Sequence, residues 1–381
     1  MYKNLVSYIR DIYGIQQEFI PLHEPRFIGN EKKYVLDAID STFVSSIGSY
    51  VDKFESMMCD LTGSKYAIAI VNGTNALHLS LLLADVKEGD EVLTQPLTFI
   101  ATVNAISYCN ATPHFVDVDK ETLGLSPSKL ENYLNDISLM RNGQCYNKKT
   151  GRRISACVPM HTFGLPLFID KLVEVCSRYN IPVIEDAAES LGSYYKKKHT
   201  GTFGLLGVFS FNGNKIVTSG GGGAIITNNE DLAKKAKHLS TQSKIPHKWE
   251  FKHDEIGFNY RMPNLNAALA CAQLEQLNSY IQNKREISDL YFDFFKNNNE
   301  IKLIREVKES KSNYWLNSII LKDKKQRDNF LKFTNENGIM TRPIWNLMNK
   351  LDMFKKANCS DLKTAEWLEE RVVSITSSVR L

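Results

Sequence analysis

The 381-residue sequence lacks the features that mark several large classes of protein. Its seven cysteines are scattered and include no CxxC pair, so neither a zinc site nor a disulfide framework is indicated, and reduced thiols in the cytoplasm are expected. The longest apolar stretch, LHLSLLLADV, is too short to span a bilayer. The N-terminal stretch MYKNLVSYIRDIYGIQQEF carries charges throughout, unlike a signal peptide. We therefore expect a cytoplasmic protein without a membrane segment or a bound metal.

An excess of charge of one sign is also absent. The chain has 47 Lys and Arg against 43 Asp and Glu, a net charge of +4, and it contains no long basic run. Nucleic acid is therefore not an expected partner. Internal repeats and low-complexity tracts are missing too, and the length predicts one large domain with a smaller one.

Strand-like and helix-like segments alternate from about residue 64. The strand-like runs are KYAIAIV, DEVLTQ, PHFVDVD, ISACVPM, IPVIEDAA, LGVFSF and GAIITNN. This alternation predicts an α/β fold whose central, mostly parallel sheet is covered by helices on both faces. After Pro263 a long helical pattern precedes a β-α-β series, which predicts a smaller α+β domain. We assign 1–250 to an N-terminal segment and the large domain, and 251–381 to the small C-terminal domain.

One polar excursion interrupts this pattern. The stretch MRNGQCYNKKTGRRIS, residues 140–155, predicts an exposed hairpin that turns around KKTG. A loop that contacts substrate is the alternative interpretation.

Two segments place polar groups at the ends of predicted strands. In VNGTNALHL a buried strand ends at Gly73-Thr74 and a helix begins, so free backbone N–H groups face a potential anion. An ordinary helix N-cap is the alternative. In PVIEDAAES an apolar strand ends at Glu185-Asp186. A carboxylate there can hold a cationic ring nitrogen, bind a metal or cap a helix.

The stretch FSFNGNKIVTSGGGGAIIT sets Lys215 near four consecutive glycines, which at first suggests a nucleotide-phosphate loop. That loop requires GxxxxGK[ST] between a strand and a helix. Here the lysine precedes the glycines, Ile216 follows it, and the glycines lead into a strand. The order and the context therefore exclude this interpretation.

A lysine, a carboxylate and a phosphate cradle together fit a different ligand. Pyridoxal 5′-phosphate needs a lysine for its aldehyde, a carboxylate for its ring nitrogen, and N–H and hydroxyl donors for its phosphate. Lys215, Asp186, Gly73-Thr74 and Ser210 supply these groups, each at a predicted strand end. The sequence therefore predicts a pyridoxal phosphate site.

These segments also resemble a known family over nearly the whole chain. The matching stretches are SSIGSYVDKFE, NGTNALHL, QPLTFIATVNAI, FVDVD, EDAAESLGS, FSFNGNK, GFNYRMPNLNAAL and TRPIW. They are similar to the DegT/StrS group of pyridoxal-phosphate-dependent nucleotide-sugar aminotransferases. The resemblance implies the PLP-dependent transferase fold type I, which is aspartate-aminotransferase-like, and a homodimer with shared active sites.

The resemblance also implies a role for each matching residue. Lys215 would bind the cofactor covalently and move protons, and Asp186 would pair with the pyridine nitrogen. Phe99 would stack on the ring, with a plain core aromatic as the alternative. The remaining roles are the phosphate contacts Gly73, Thr74 and Ser210, the phenolic-oxygen neighbour Glu189, and Asn259, which would reach the phosphate in the neighbouring subunit.

Two departures from the common family pattern narrow the resemblance. Asn212 stands where many members have His, and Gly221 stands where many have Glu. The FSFNGNK form, together with HEPRF, VSSIGSYVDKFE and TRPIW, resembles the branch that acts on UDP-linked 4-keto-6-deoxy-N-acetylhexosamines in bacillosamine and legionaminic acid biosynthesis. That branch implies transfer of an amino group from L-glutamate to the C4 ketone.

The substrate contacts and several alternatives stay open at this point. Ser45, Ser46 and Arg342 are candidates for the nucleotide sugar and the donor carboxylate, with turn-forming serines and a surface arginine as the alternative. The motifs leave UDP, GDP and dTDP possible, and they also allow amination at C3. A sugar dehydratase of this fold would have histidine in place of Lys215, and a non-catalytic regulator would not need the Lys215, Asp186 and Ser210 set.

Overall fold

The computed structural model describes residues 2–380, and within this range the chain forms twelve α-helices and eighteen strands. The helices are α1 Tyr2–Tyr13, α2 Glu31–Asp40, α3 Ser49–Thr62, α4 Gly73–Leu83, α5 Ile100–Tyr108, α6 Pro127–Ile137, α7 Ile169–Arg178, α8 Glu230–Ser240, α9 Asn264–Leu274, α10 Leu277–Phe295, α11 Lys324–Glu336 and α12 Lys363–Glu369. The strands are β1 Tyr66–Ile70, β2 Glu91–Thr94, β3 Thr112–Phe115, β4 Ser138–Arg141, β5 Gln144–Asn147, β6 Ile154–Val158, β7 Ile184–Asp186, β8 Tyr194–Tyr195, β9 Lys198–His199, β10 Leu206–Ser210, β11 Gly223–Thr227, β12 Lys244–Ile245, β13 Lys252–His253, β14 Lys302–Leu303, β15 Ser310–Lys311, β16 Asn317–Ile320, β17 Arg342–Pro343 and β18 Val372–Ile375.

Seven strands form the central layer. One group has the order β1-β11-β10-β7 and a second has the order β3-β2-β6, and parallel bridges from Cys157 to Val183 and from Met160 to Asp186 join them. β11 runs antiparallel to both of its neighbours, whereas the other adjacent pairs are parallel. The predicted α/β fold with a mostly parallel sheet is confirmed.

Helices cover both faces of this sheet. On β2, Val92 packs in a cluster with Leu77 of α4 and Ile106 of α5. The next residue, Leu93, packs in a different cluster with Leu134 of α6 and Leu172 of α7. Because successive strand residues point to opposite faces, both faces are buried. This explains why the predicted strands are continuous apolar runs rather than alternating ones.

A second sheet lies in the C-terminal part of the chain. Its order is β14-β16-β18-β17, and its pairs are antiparallel. Leu5 and Ile9 of α1 pack in one cluster with Phe330, Ile339 and Val373. The first helix therefore packs with the C-terminal sheet, and the division of the chain at residue 250 stays a prediction.

Two local features refine the sequence-based expectation. The predicted turn at KKTG is present, because Tyr146 and Arg153 form an antiparallel bridge across it and the N–H of Asn147 donates to the carbonyl of Arg152 over 2.9 Å. A second hairpin, β4–β5, precedes it and turns at Asn142-Gly143, with φ of 50° and 76°. Asn-Gly prefers this left-handed two-residue turn, because it matches the twist of the flanking strands. The long helical pattern after Pro263 is interrupted between Leu274 and Leu277. No helix among residues 2–380 is long and apolar enough to cross a membrane.

Candidate active site

The register of the central sheet brings the predicted cofactor residues to one edge. Val208 of β10 pairs with Asp186, the last residue of β7, and Ser210 ends β10 two residues later. In the next strands Gly223 pairs with both Ser210 and Ile70. The loops that follow β1, β7 and β10 therefore leave the sheet side by side, as expected at the carboxyl ends of parallel strands.

Lys215 lies on the turn after β10. Its backbone N–H donates to the carbonyl of Asn212 over 3.0 Å. Its side chain is 11% exposed, and Nζ lies 3.3 Å from Oε1 of Glu189. The same Nζ lies 4.2 Å from the ring centroid of Trp315. The lysine amine therefore sits in a largely buried place with a carboxylate and an indole face beside it.

Asp186 is held by two hydrogen bonds at the end of β7. Its Oδ2 accepts from Oγ1 of Thr102 over 2.7 Å, and its Oδ1 accepts from the backbone N–H of Ala188 over 3.1 Å. Burial raises the pKa of this carboxyl, while the Thr102 and Ala188 donors and the nearby Lys215 oppose that shift. A buried carboxylate in this position can accept one strong charge-assisted bond from a cationic partner.

Glu189 is the second buried carboxyl beside Lys215. Besides the contact with Nζ, it accepts a hydrogen bond on Oε2 from the backbone N–H of Phe163 over 2.9 Å. Burial raises its pKa to about 7, and the charge of Lys215 and the Phe163 donor oppose that shift. Because desolvation outweighs the ion pair, Glu189 can exchange a proton near neutral pH.

The predicted phosphate cradle lies where α4 meets Ser210. α4 begins at Gly73, and the side chain of Asn72 caps it by accepting from the N–H of Asn75. A Cβ on Gly73 would lie 2.9 Å from Cβ and 3.3 Å from Oγ of Ser210. Only glycine therefore allows the helix N-terminus to approach this hydroxyl so closely. The arrangement combines free N–H groups, the helix dipole and a hydroxyl, which together suit a phosphate.

The glycine run explains how β11 passes beneath this helix end. A Cβ on Gly223 would lie 2.5 Å from the carbonyl of Asn72 and 2.8 Å from the nitrogen of Gly73. In contrast, a Cβ on Gly221 would meet only the carbonyl of Val71, at 4.0 Å. The four glycines are therefore not equivalent, since close approach of two backbones requires glycine at 223 but not at 221.

Seven of the predicted residues line a single cavity of about 310 Å³: Gly73, Thr74, Phe99, Asp186, Glu189, Ser210 and Lys215. The residue pattern had not singled out Thr102, Asn214, Trp315 or Trp345. Thr102 lies in the quoted stretch TFIAT, so a hydroxyl in the first turn of α5 was the available signal. Asn214 directly precedes Lys215, whereas Trp315 and Trp345 come from distant parts of the chain and their position depends on tertiary packing.

The remaining predicted residues lie elsewhere. Ser46 and Asn259 line a second cavity of about 430 Å³. Ser45 is exposed on the same loop as Ser46, and its carbonyl accepts from the N–H of Asn264. Arg342 lines a third cavity of about 480 Å³, which shares Asn214, Trp315 and Trp345 with the cavity around Lys215. We name these three spaces the lysine cavity, the Asn259 cavity and the Arg342 cavity.

The chain belongs to the DegT/DnrJ/EryC1/StrS aminotransferase family, whose model matches residues 25–381. It is 39% identical over 339 residues to a GDP-perosamine synthase of Escherichia coli O157:H7, covering 89% of this chain and 88% of that one. It is 36% identical over 350 residues to a GDP-perosamine synthase of Caulobacter vibrioides, covering 91% and 90%. The family assignment makes this chain a pyridoxal-phosphate-dependent sugar aminotransferase.

Solved structures show the same fold at lower identity. The Helicobacter pylori aminotransferase PseC superposes with a TM-score of 0.85 at 24% identity, covering 94% of each chain. The aminotransferase TlmJ of Streptoalloteichus hindustanus superposes with a TM-score of 0.85 at 23% identity, covering 94% of this chain and 93% of that one. These likenesses establish fold type I for this chain.

The residues of the lysine cavity fit pyridoxal phosphate. A glycine whose Cβ would fill the cradle lies beside a hydroxyl, a buried carboxylate ends β7, and a largely buried lysine faces the same space. When bound, the cofactor supplies an aldehyde and a ring that withdraws electrons from the attached carbon. The donor set of the protein therefore agrees with the cofactor of the family.

Proposed function

We propose that this enzyme transfers the amino group of L-glutamate to the C4 ketone of a nucleotide-linked 4-keto-6-deoxy-N-acetylhexosamine. The observation that carries this proposal is the meeting of Lys215, Asp186, Glu189 and the Gly73–Ser210 cradle in one cavity. Products of this kind serve bacterial surface glycans and nonulosonic acids. The motifs shared with the legionaminic acid and bacillosamine branch support UDP as the nucleotide, and a cytoplasmic enzyme is part of the proposal.

Each residue of the lysine cavity has one task in this reaction. Lys215 Nζ takes a proton from the α-carbon of the amino donor and returns it later in the cycle. Asp186, fixed by Thr102, holds the cofactor's ring nitrogen in its protonated form. Glu189 lies beside Lys215 and can share a proton with it. Glutamate leaves as 2-oxoglutarate before the keto sugar binds, so the kinetics are ping-pong.

We further propose a homodimer in which Asn259 completes the site of the neighbouring subunit. Asn259 is exposed and lies in the Asn259 cavity, apart from the lysine cavity of its own chain. The adjacent hairpin β12–β13 and the loop after it expose Trp249 by 75%, Phe251 by 82% and Ile256 by 88%. Large apolar side chains so exposed are typical of an interaction surface, and a second copy would bury them.

The choice of nucleotide has a second candidate. Two relatives at 36% identity or more are named for GDP-perosamine, and therefore for a GDP-linked product. This observation favours GDP, whereas the motif resemblance favours UDP. Both candidates keep the same reaction, and they differ only in the group that binds outside the lysine cavity.

The test uses purified protein with pyridoxal phosphate and glutamate. The wild type should be yellow, bleach with borohydride, and aminate one member of a panel of UDP-, GDP- and dTDP-linked 4-keto sugars. Lys215→Ala should lose the borohydride-sensitive colour and the activity, whereas Lys308→Ala, an exposed control, should keep both. A wild type that gains no colour with added cofactor contradicts the proposal. A product aminated at C3 replaces the C4 assignment.

A further inference from the structure

The Lys215 amine rests on the face of Trp315. Nζ lies 4.2 Å from the centroid of the indole ring, and the side chain of Lys215 is only 11% exposed. Trp315 is itself buried. An ammonium over an indole face is the strongest form of cation–π contact, and it strengthens as water is excluded. Glu189 contacts the amine as well, at 3.3 Å, so two groups hold it in place.

The indole is fixed to the same turn that carries the lysine. Its Nε1 donates to the carbonyl of Asn214, the residue before Lys215, over 2.7 Å. The rings of Phe163 and His23 flank it at centroid distances of 6.3 Å and 6.5 Å. Trp315 belongs to the loop between β15 and β16, so this hydrogen bond connects that loop to the turn that contains Lys215. The position of the indole is therefore set by groups other than the lysine.

Trp345 provides a comparison within the same site. It lines the lysine cavity and the Arg342 cavity, as Trp315 does. However, its ring packs against Phe163 at 4.9 Å and Phe99 at 6.3 Å rather than beneath the amine. Both tryptophans therefore line the same two cavities, and Trp315 is the one whose ring contacts the Lys215 amine.

We infer that Trp315 is a positioning residue that holds the Lys215 amine at the edge of the cavity, beside Glu189, whenever that amine is not bound covalently. The inference rests on the proposed role of Lys215. In that role Nζ accepts a proton from the donor's α-carbon and must keep it until delivery. An indole face beside the amine keeps the side chain from turning away from the cavity during this transfer.

The first test measures the Lys215 amine directly in the full-length protein freed of cofactor. Acetic anhydride labels amines that are free to react, and mass spectrometry of the peptide with Lys215 gives its rate relative to exposed Lys308. Loss of the cation–π contact in Trp315→Leu should raise this rate about threefold to tenfold. Trp315→Phe keeps an aromatic face and should fall in between. Trp345→Leu opens the same cavity and should stay within about twofold of the wild type.

The second test separates positioning from substrate binding in the cofactor-loaded enzyme. Trp315→Leu should lower kcat about tenfold with little change in KM for the keto sugar, and Trp315→Phe should restore most of it. Circular dichroism and thermal unfolding confirm that the compared variants are folded.

Two results would overturn the inference: a wild-type labelling rate in Trp315→Leu, or an equal rise in Trp345→Leu. A change confined to KM would also overturn it, because Trp315 would then act as a substrate contact. Failure of the proposed function is recognised separately, since the wild type would then gain no colour with added cofactor and would aminate no keto sugar, whatever the labelling of Lys215 shows.

Discussion

Thr102 donates a hydrogen bond from Oγ1 to Oδ2 of Asp186 over 2.7 Å, and both side chains are buried. The bond links the first turn of α5 to the end of β7, two elements that are far apart in the sequence. Because it opposes the burial that raises the pKa of Asp186, it helps to keep the carboxyl ionised. Thr102 therefore sets both the direction and the charge of Asp186.

Replacing this donor should weaken the site without changing its shape. Thr102→Val keeps the branched side chain but removes the hydroxyl, so Asp186 loses a charge-assisted bond. We expect kcat to fall about tenfold and cofactor to bind more weakly, as loss of about 1.5 kcal/mol implies. Thr94→Val removes another buried hydroxyl, one that donates to the carbonyl of Val158, and serves as the control. Equal losses of activity in both variants would contradict this role of Thr102.

The phosphate cradle should depend on the absence of a side chain at residue 73. In Gly73→Ala the new Cβ lies 2.9 Å from Cβ of Ser210, so the two segments must separate. We expect cofactor affinity to fall about tenfold to a hundredfold, measured by absorbance titration, as expected for overpacking of about 1–3 kcal/mol. Gly213→Ala is the matched control on the lysine turn, since its Cβ meets nothing within 4 Å. An unchanged affinity in Gly73→Ala would show that the cradle can expand.

The glycine run offers a contrast between two of its members. Gly221→Glu restores the residue common in the family and should keep full activity, because its Cβ meets only a carbonyl at 4.0 Å. Gly223→Ala should lower the melting temperature and the yield of folded protein, because its Cβ would meet backbone atoms at 2.5 Å. Loss of activity in Gly221→Glu would mean that residue 221 also requires glycine.

Glu189 should make the cofactor-free protein less stable as the pH rises. Burial raises its pKa from 4.5 to about 7, so the native state binds more protons than the unfolded state in that range. Its stabilising contribution is therefore complete below pH 4.5 and is lost as the pH rises to about 7. Glu189→Gln stays neutral at every pH. The melting temperature of this variant minus that of the wild type should therefore increase between pH 5 and 8, by the equivalent of about 1–3 kcal/mol in the free energy of unfolding. A constant difference across this range would contradict the raised pKa.

The shared active site can be tested with mixed dimers. Lys215→Ala and Asn259→Asp subunits should each form homodimers of low activity. If Asn259 acts in the partner's site, a heterodimer of the two combines both changes in one site and leaves the other intact. When the two homodimers are dissociated and their subunits are mixed, activity should then return, up to about half the wild-type turnover per heterodimer. No recovery in verified heterodimers would place Asn259 in the site of its own chain.

The sequence was sufficient for most of the lysine cavity, because its members follow strand ends. Asp186 and Ser210 end apolar strands, and Gly73 and Lys215 lie on the turns that follow β1 and β10. Parallel strands bring such positions to one edge of the sheet whatever the loops between them do. The periodicity of the chain thus predicted both the layer architecture and the place where these side chains meet.

Residues from outside this pattern could not be predicted in the same way. Trp315 belongs to the loop before β16, more than a hundred residues after Asn214, with which it forms a hydrogen bond. The sequence does not distinguish Thr102 from other polar residues in the first turn of a helix, because its contact with Asp186 forms only when α5 packs beside the end of β7. The hairpin turn at Asn142-Gly143 was not predicted beside the one at KKTG, because only the strand pairing shows that both turn sequences form hairpins.

The sequence by itself determined the α/β layers, the order of the cofactor-binding segments and the exclusion of a nucleotide-phosphate loop around Lys215. The tertiary structure alone decided which cavity each residue lines, and it separated Asn259 and Ser46 from the lysine cavity. It also decided that the Lys215 amine lies over the indole ring of Trp315 and that Gly223, not Gly221, must lack a side chain. The physical reason is that periodicity encodes which face of an element is buried, whereas contacts between distant segments arise only when those faces pack together.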